Sequence, residues 1–176
     1  KEHFFIIDEI NRGNMSKIFG ELLFLIERDY RGEKATLAYN GLSFTVPENI
    51  YIIGMMNTAD RSLAMIDYAL RRRFSFFDIK PGFESDGFKN YENQLNDETF
   101  SKIVSQVQKL NEEIKNDKSL GEGFSIGHSY FCNQSECTED WMLSIVEYDI
   151  IPMLREYWFD DTEKIERWEG NLKGVF

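Results

Sequence analysis

Two adjacent carboxylates, Asp8 and Glu9, directly follow the apolar run Phe4–Ile7. Four consecutive aromatic or β-branched residues are typical of a strand that is buried on both faces of a parallel sheet. Ligands bind outside the carboxyl ends of such strands, which is where the two acids would lie. Asp8 could hold a hydrated Mg²⁺, and Glu9 could orient or deprotonate an attacking water. The alternative is a buried strand that ends in two solvated acids.

Asn57 occupies the equivalent place after a second apolar run, Ile50–Met56. If the two strands are parallel, Asn57 lies at the same edge of the sheet as Asp8 and Glu9. A neutral side chain that both donates and accepts hydrogen bonds could hold a water against a γ-phosphate. The alternative is an Asx turn, because the sequence Asn-Thr-Ala-Asp is good turn chemistry.

Three consecutive arginines, Arg71–Arg73, follow a short predicted helix, Leu63–Leu70. Guanidinium groups recognise phosphate through charge-assisted, bidentate contacts. An arginine supplied to the active site of a neighbouring subunit would stabilise the charge of phosphoryl transfer. The alternatives are a solvated basic patch that pairs with Asp67 and Asp78, and a contact with nucleic acid.

His128, Cys132 and Cys137 are the residues whose types could ligate zinc. A fourth ligand is absent from the pattern, and the spacing matches no common structural zinc site. Two cysteines also make no disulfide framework. We therefore expect free thiols in a reducing, cytoplasmic setting.

The elements that would position these residues form an α/β pattern with a parallel sheet. Before Lys80 we predict, in order, a strand at Phe4–Ile7, a helix at Lys17–Glu27 capped by Asn14 or Ser16, a hairpin at Ala35–Val46 with a type I′ turn at Asn40-Gly41, a strand at Ile50–Met56, the helix at Leu63–Leu70 and a third strand at Phe74–Ile79.

The remainder of the chain is predicted to be helical. An apolar stripe, from Phe100 to Ile114, predicts a helix over Glu98–Lys115. A second stripe predicts a helix over Glu139–Tyr157, which Pro152 should kink or divide. The connection at Leu120–Phe131 contains three glycines and is predicted to be a loop or a short extended piece.

Charge divides the chain at the same place as these patterns. Residues 1–80 carry 11 Lys/Arg and 11 Asp/Glu, whereas residues 81–176 carry 9 and 20, within a total net charge of −11. Two domains, 1–80 and 81–176, are therefore predicted. The acidity of the second argues against a nucleic-acid-binding surface there. No apolar run is long enough to span a bilayer, and the absence of an initiating Met suggests a piece of a longer protein.

Several ordered stretches resemble the later motifs of AAA+ nucleoside triphosphatases. At 5–12, 56–62 and 67–74 they read FIIDEINR, MNTADRS and DYALRRRF. More narrowly they resemble the McrB family, the motor subunits of modification-dependent (5-methylcytosine-specific) restriction systems, which show an Asn-Thr-Ala-Asp motif. The stretch GHSYF at 127–131 is similar to that family too. The resemblance is tightest in residues 4–80 and looser beyond them.

This resemblance implies a partial P-loop NTPase (AAA+) sheet with flanking helices and a hairpin insert, followed by a small all-α lid. It assigns roles as follows: Asp8 to magnesium and nucleotide binding in the Walker B motif, Glu9 to water activation, Asn57 to the sensor 1 position, Asp60 to the nucleotide-binding Asn-Thr-Ala-Asp motif, and Arg72 or Arg73 to catalysis in trans.

The McrB family implies GTP as substrate, whereas the wider AAA+ group implies ATP; both use Mg²⁺. It also implies a homo-oligomeric, hexameric ring, a McrC-like nuclease subunit as partner, and DNA contacts through regions outside this chain, with no membrane. One departure is large, because no Gly-x₄-Gly-Lys-Ser/Thr phosphate loop occurs in these residues. We therefore expect this chain alone to be inactive. An ATP-driven protein remodeller and a non-catalytic α/β interaction module are the alternatives.

Overall fold

The computed structural model describes residues 1–57, 59, 68–132 and 136–176. The chain divides into two compact units, 1–78 and 79–176. Asp60, Asp67 and most of the predicted helix Leu63–Leu70 lie outside the described residues. Among the residues described, no helix combines the length and the apolar character that crossing a membrane requires.

The first unit is α/β, and its central feature is a pair of parallel strands. Its described strands and α-helices are β1 (His3–Ile7), α1 (Met15–Phe19), β2 (Ala35–Thr36), β3 (Ser43–Phe44), β4 (Ile50–Gly54) and α2 (Tyr68–Arg71). Strand β1 pairs with β4 in a parallel register that runs from His3 opposite Ile50 to Ile7 opposite Gly54. The parallel pairing predicted for the two apolar runs is therefore confirmed.

The prediction that strands β1 and β4 are buried is wrong. Side chains of Phe4–Ile6 are 56–62% exposed, and Ile53 is 44% exposed. A strand is buried on both faces only where other layers cover it. In the first unit the described apolar cluster meets the sheet only at Ile7 and Ile52. Composition therefore identified the strands but not their surroundings.

The third strand predicted at Phe74–Ile79 is also wrong, since these residues form no strand. Phe77 and Ile79 are 88% and 89% exposed. Apolar and β-branched residues favour an extended chain, but a strand needs a neighbour that pairs with its backbone groups. None of the described strands pairs with this segment.

In place of the single helix predicted at Lys17–Glu27, the chain forms a short α-helix followed by a 3₁₀ helix. Helix α1 begins after Asn14, whose Oδ1 accepts a hydrogen bond from the Lys17 N–H at 2.9 Å, so the predicted cap is confirmed. Gly20 then takes φ +50, and the chain continues as a 3₁₀ helix over Gly20–Ile26. A left-handed glycine ends the α-helical hydrogen bonding, although the apolar spacing continues past it.

The predicted hairpin exists, but its turn differs from the expected type. Strands β2 and β3 are antiparallel, with Ala35 opposite Phe44. Between β2 and β3 only Gly41 has a positive φ, of 68°, and its N–H donates to the carbonyl of Leu37 at 2.8 Å. A type I′ turn needs positive φ at Asn40 as well. The connection is therefore a longer loop that begins at Leu37.

The second unit is all-α among its described residues. Its α-helices are α3 (Asp86–Leu95), α4 (Glu98–Asn116), α5 (Glu139–Ile145), α6 (Ile151–Tyr157) and α7 (Thr162–Lys173). Helix α4 confirms the helix predicted over Glu98–Lys115. The whole apolar stripe of this helix is buried: Phe100, Ile103, Val104, Val107, Leu110 and Ile114. Helices α3 and α7 were not individually predicted.

Pro152 divides the helix predicted over Glu139–Tyr157, as expected. Helix α5 is followed by a π-helical segment at Val146–Ile150, and α6 begins beside Pro152. Proline lacks the N–H that an α-helix would use at that position and its ring crowds the preceding turn. The wider π turn keeps the helical path through this interruption.

Asp117, directly after α4, joins the end of that helix to α7. Its carboxylate accepts hydrogen bonds from Lys164 Nζ at 2.7 Å, Trp158 Nε1 at 2.8 Å and the Ser119 hydroxyl at 2.6 Å. These donors, Lys164 above all, hold the pKa of the Asp117 carboxyl well below its usual range. The second unit thus has an internal polar anchor beside its apolar core.

Candidate functional site

One residue beyond the end of β4, Met55, fixes the two acids that follow β1. The Met55 N–H donates to the carbonyl of Ile7, and the Met55 carbonyl accepts from the N–H of Ile10, both at 2.9 Å. Asp8 and Glu9 lie between these two hydrogen bonds to Met55 and therefore protrude from the strand pair as a two-residue bulge. Both acids are exposed. Strand pairing, rather than a free loop, sets their position.

The bulge requires an unusual backbone at Glu9, whose φ and ψ are 49° and 47°. This left-handed conformation is uncommon for residues other than glycine and is over-represented at functional sites. The Glu9 carboxylate forms an ion pair with Arg12 Nε, and these side chains are 45% and 57% exposed. Such an exposed pair contributes little stability but orients the carboxylate.

Asp8 has the chemistry that Mg²⁺ requires. Its Oδ1 accepts a hydrogen bond from the Glu9 N–H at 2.9 Å. No Lys, Arg or His side chain among the described residues forms an ion pair with its carboxylate. Mg²⁺ is held by one or two carboxylates and keeps several waters, so a single exposed acid fits it. No cluster of three or more His, Cys, Asp or Glu that could hold a metal occurs among the described residues.

Asn57 reaches the same edge as the acids, as the parallel register requires. Its backbone carbonyl accepts a hydrogen bond from the Asn11 side chain at 3.4 Å. Its own Oδ1 accepts from the Ala59 N–H at 3.0 Å, which is the Asx turn considered as the alternative. This turn engages the amide oxygen and leaves the amide nitrogen as a donor. The turn and a water-binding role are therefore compatible.

Asn11 is a site residue that the sequence reasoning missed. It is 8% exposed, and its Oδ1 is buried without a hydrogen-bond partner. An unsatisfied buried acceptor costs about 1–3 kcal/mol, so the Asn11 Oδ1 lowers the free energy of unfolding by about that amount. The only available signal was a polar residue directly after the apolar Ile10, where the chain leaves β1.

Gly54, the last residue of β4, allows the bulge to pack closely. A Cβ at Gly54 would lie 2.7 Å from Ile10 Cδ1 and 3.3 Å from Ile10 Cγ2. Ile10 is 5% exposed and belongs to the apolar cluster of the first unit. Only glycine therefore lets Ile10 insert at this depth.

The three arginines have three different environments. Arg73 pairs with Glu27 at 2.7 Å and is 9% exposed, and its Nη1 donates to the carbonyl of Ala69. Arg71 lies over the Phe76 ring at 5.5 Å. Arg72 is exposed and forms no ion pair with a described residue. The alternative of pairing with Asp78 is wrong for Arg73, because its partner is Glu27 on a preceding segment.

The potential zinc ligands instead take part in the packing of the second unit. His128 Nδ1 accepts from the Gly82 N–H at 2.9 Å, and Cys132 Sγ donates to the His128 carbonyl at 3.3 Å. Cys137 Sγ lies 3.5 Å from the Tyr91 hydroxyl. Both cysteines are free, as predicted, and burial raises the pKa of the Cys132 thiol.

Family models match both parts of the chain. One for the AAA domain of the dynein-related subfamily matches residues 1–74. One for the McrB alpha-helical lid domain matches residues 102–166. The first matched region contains the bulge and Asn57, and the second contains most of α4 together with α5 and α6.

Two characterised relatives belong to restriction systems. The EcoKMcrB subunit of the type IV methyl-directed restriction enzyme of Escherichia coli (strain K12) is 50% identical over 186 residues, which cover 99% of this chain and 40% of that protein. The YdiS component of the type II restriction enzyme BsuMI of Bacillus subtilis (strain 168) is 35% identical over 85 residues, or 40% of this chain and 25% of that protein. The chain thus spans less than half the length of either relative. With both family models and near-complete coverage of the chain at 50% identity, it belongs to the McrB family of AAA+ proteins.

Proposed function

We propose that this chain is part of a nucleoside triphosphatase motor subunit of a methyl-directed restriction system. The observation that carries the proposal is the placement of Asp8, Glu9 and Asn57 at one edge of a parallel strand pair. The relative described as a methyl-directed restriction subunit supports the same conclusion. Residues 1–80 would supply the second part of the AAA+ core, and residues 81–176 the helical lid.

Hydrolysis would depend on three side chains at this edge. Glu9 would accept the proton of the attacking water, or orient that water. The Asn57 amide nitrogen would donate to the water or to the γ-phosphate. Asp8 would hold Mg²⁺, which when bound neutralises charge on the phosphates. Asp60 would complete the nucleotide-binding motif that begins at Asn57.

An arginine would act in trans, which requires a ring of identical subunits. Arg72 is the exposed candidate, whereas Arg73 would first have to leave Glu27. A guanidinium from the adjacent subunit would stabilise the charge that develops on the transferred phosphoryl group. The proposal therefore includes a homo-oligomer, with a hexamer as the expected form.

The remaining features of the proposal follow from the family. GTP is the proposed substrate, with ATP as the alternative. A McrC-like nuclease subunit would be the partner, in the cytoplasm, and DNA would be bound by regions outside these residues. The chain by itself is proposed to be inactive, because it contains no phosphate loop.

The test is hydrolysis of GTP and ATP by the full-length protein and its Glu9→Gln variant, with and without its nuclease partner. We expect Glu9→Gln to bind nucleotide as the wild type does and to lose about 100-fold or more in turnover. Glu33→Gln, at another exposed acid of the first unit, is the matched control and should keep full turnover.

Three results would change the proposal. Unchanged turnover in Glu9→Gln would remove Glu9 from the mechanism. Hydrolysis of ATP in preference to GTP would favour the remodeller class while leaving the site intact. No turnover of either nucleotide with the partner present would favour a non-catalytic interaction module.

A further inference from the structure

Asn11 lies where the hydrogen bonds between β1 and β4 would otherwise stop. Met55 supplies the last two backbone hydrogen bonds, to Ile7 and Ile10, and the chain then turns through the 3₁₀ segment Ile10–Arg12. The next contact between the two chain segments is the Asn11 Nδ2 donation to the carbonyl of Asn57. A side-chain amide thus takes the place of the next backbone hydrogen bond.

The burial of Asn11 is unusual for a residue with that contact alone. It is the sole buried polar residue among those the structure describes, and its Oδ1 has no hydrogen-bond partner there. An apolar side chain of similar size would avoid this unsatisfied acceptor. Core packing therefore does not explain an asparagine here, whereas the contact with Asn57 does.

We propose that Asn11 is a positioning residue, which holds Asn57 in register with the bulge of Asp8 and Glu9. The proposal rests on the function proposed above, because Asn57 is taken to contact the attacking water or the γ-phosphate. Asn11 itself touches neither. Its amide group links the segment after β1 to the segment after β4, so that the acids and the Asn57 side chain keep one relative geometry.

The test replaces Asn11 by leucine in the full-length protein. Asn11→Leu removes the donor and also the unsatisfied acceptor, while nearly preserving side-chain volume. We expect kcat for the hydrolysed nucleotide to fall about 10- to 100-fold, because small misplacements of a reacting group have effects of this size. KM and the thermal midpoint should stay at wild-type values. Met15→Leu, at a buried residue in the apolar cluster of the first unit, is the matched control and should leave kcat unchanged.

A second readout does not depend on activity. The Ala59 N–H donates to Asn57 Oδ1, so its hydrogen exchange reports whether the Asn57 side chain keeps its place. Exchange at Ala59 should accelerate roughly fivefold or more in Asn11→Leu, which corresponds to loss of one ordinary hydrogen bond. Should Asn11→Leu fail to fold, Asn11→Ser provides the same comparison with a hydroxyl too short to reach Asn57.

Failure of this inference is separable from failure of the proposed function. Full kcat in Asn11→Leu, when Glu9→Gln has lost turnover, would overturn the role of Asn11 and leave the function standing. Wild-type exchange at Ala59 in Asn11→Leu would overturn it in the same way. If the wild type hydrolyses no nucleotide, the proposed function fails, and the exchange measurement alone decides whether Asn11 positions Asn57. A lowered thermal midpoint in either variant, with kcat and exchange at Ala59 both at wild-type values, would indicate a purely structural residue.

Discussion

Replacing Arg73 and replacing Arg72 should have different consequences, because the two side chains lie in different surroundings. The Arg73 side chain is 9% exposed, pairs with Glu27 and donates to the carbonyl of Ala69. Arg72 is exposed and pairs with none of the described acids. We therefore expect Arg73→Ala to lower the free energy of unfolding, and Arg72→Ala to lower turnover with the fold intact.

The size of the Arg73 effect follows from the exposure of its partner. Breaking a fully buried ion pair costs about 3–5 kcal/mol. Glu27 is 36% exposed and can be rehydrated, and Arg73→Ala also removes an Nε donor that is buried without a partner. These two corrections leave about 2 kcal/mol, which should lower the thermal midpoint measurably. For the exposed Arg72 the change should stay within about 0.5 kcal/mol.

The assay combines thermal unfolding with turnover of the full-length protein. Arg72→Ala should lose about 1,000-fold in turnover, as expected for an arginine finger. Mixing Arg72→Ala with Glu9→Gln subunits should restore part of the activity, because the second variant supplies the arginine to the intact acid of the first. Arg28→Ala, at an exposed arginine without an ion pair to a described residue, is the control for both measurements.

Two results would refute this reasoning. Equal thermal midpoints for Arg72→Ala and Arg73→Ala would show that the pair with Glu27 does not stabilise the first unit. Normal turnover by Arg72→Ala, together with loss of turnover in an Arg73→Lys variant of native midpoint, would assign the role in trans to Arg73.

Three further predictions concern the two units and the chain as a whole. Asp117→Asn should lower the free energy of unfolding by about 2 kcal/mol at pH 7 in urea titrations followed by tryptophan fluorescence. Because the pKa of Asp117 is depressed in the folded state, chiefly by Lys164, this difference should be complete above about pH 5 and shrink as the pH falls below about 4; a pH-independent difference would contradict it. Gly54→Ala should cost about 1–3 kcal/mol by forcing Ile10 from its site, whereas the control Gly87→Ala, with open space around the added Cβ, should be neutral or stabilising in the same titration. The 176-residue chain alone should not bind GTP or ATP with micromolar affinity in calorimetry, and measured binding of that strength would show that the phosphate loop is dispensable.

Features that depend on local sequence were predicted well. The stripe from Phe100 to Ile114 repeats at helical spacing, so both the existence of α4 and its buried face could be inferred. The parallel pairing of β1 and β4 followed from two apolar runs with polar residues after each. That pairing was sufficient to place Asn57 beside the acids, which is the main element of the candidate site.

The layers that cover the strands, and the individual side-chain contacts between distant residues, could not be predicted. The exposure of Phe4–Ile6 and the absence of a strand at Phe74–Ile79 reflect which layers and partners are present, and composition contains no record of them. The same is true of the Arg73 pair with Glu27 and of the contact between Asn11 and Asn57. Each joins residues that are more than 40 positions apart. For the arginines, the sequence suggested only the nearer acids Asp67 and Asp78 as partners.

The arrangement around Met55 implies that the geometry of the proposed site depends on strand register. Met55 bonds to the residues on both sides of the acids, and Asn57 lies two positions further along the same segment. Sliding β4 by one residue would exchange its two faces and displace Asn57 from the bulge together with the acids. The acids are therefore held by backbone pairing with Met55, and Asn57 by the Asn11 side chain, which gives the fixed geometry that a preorganised site requires.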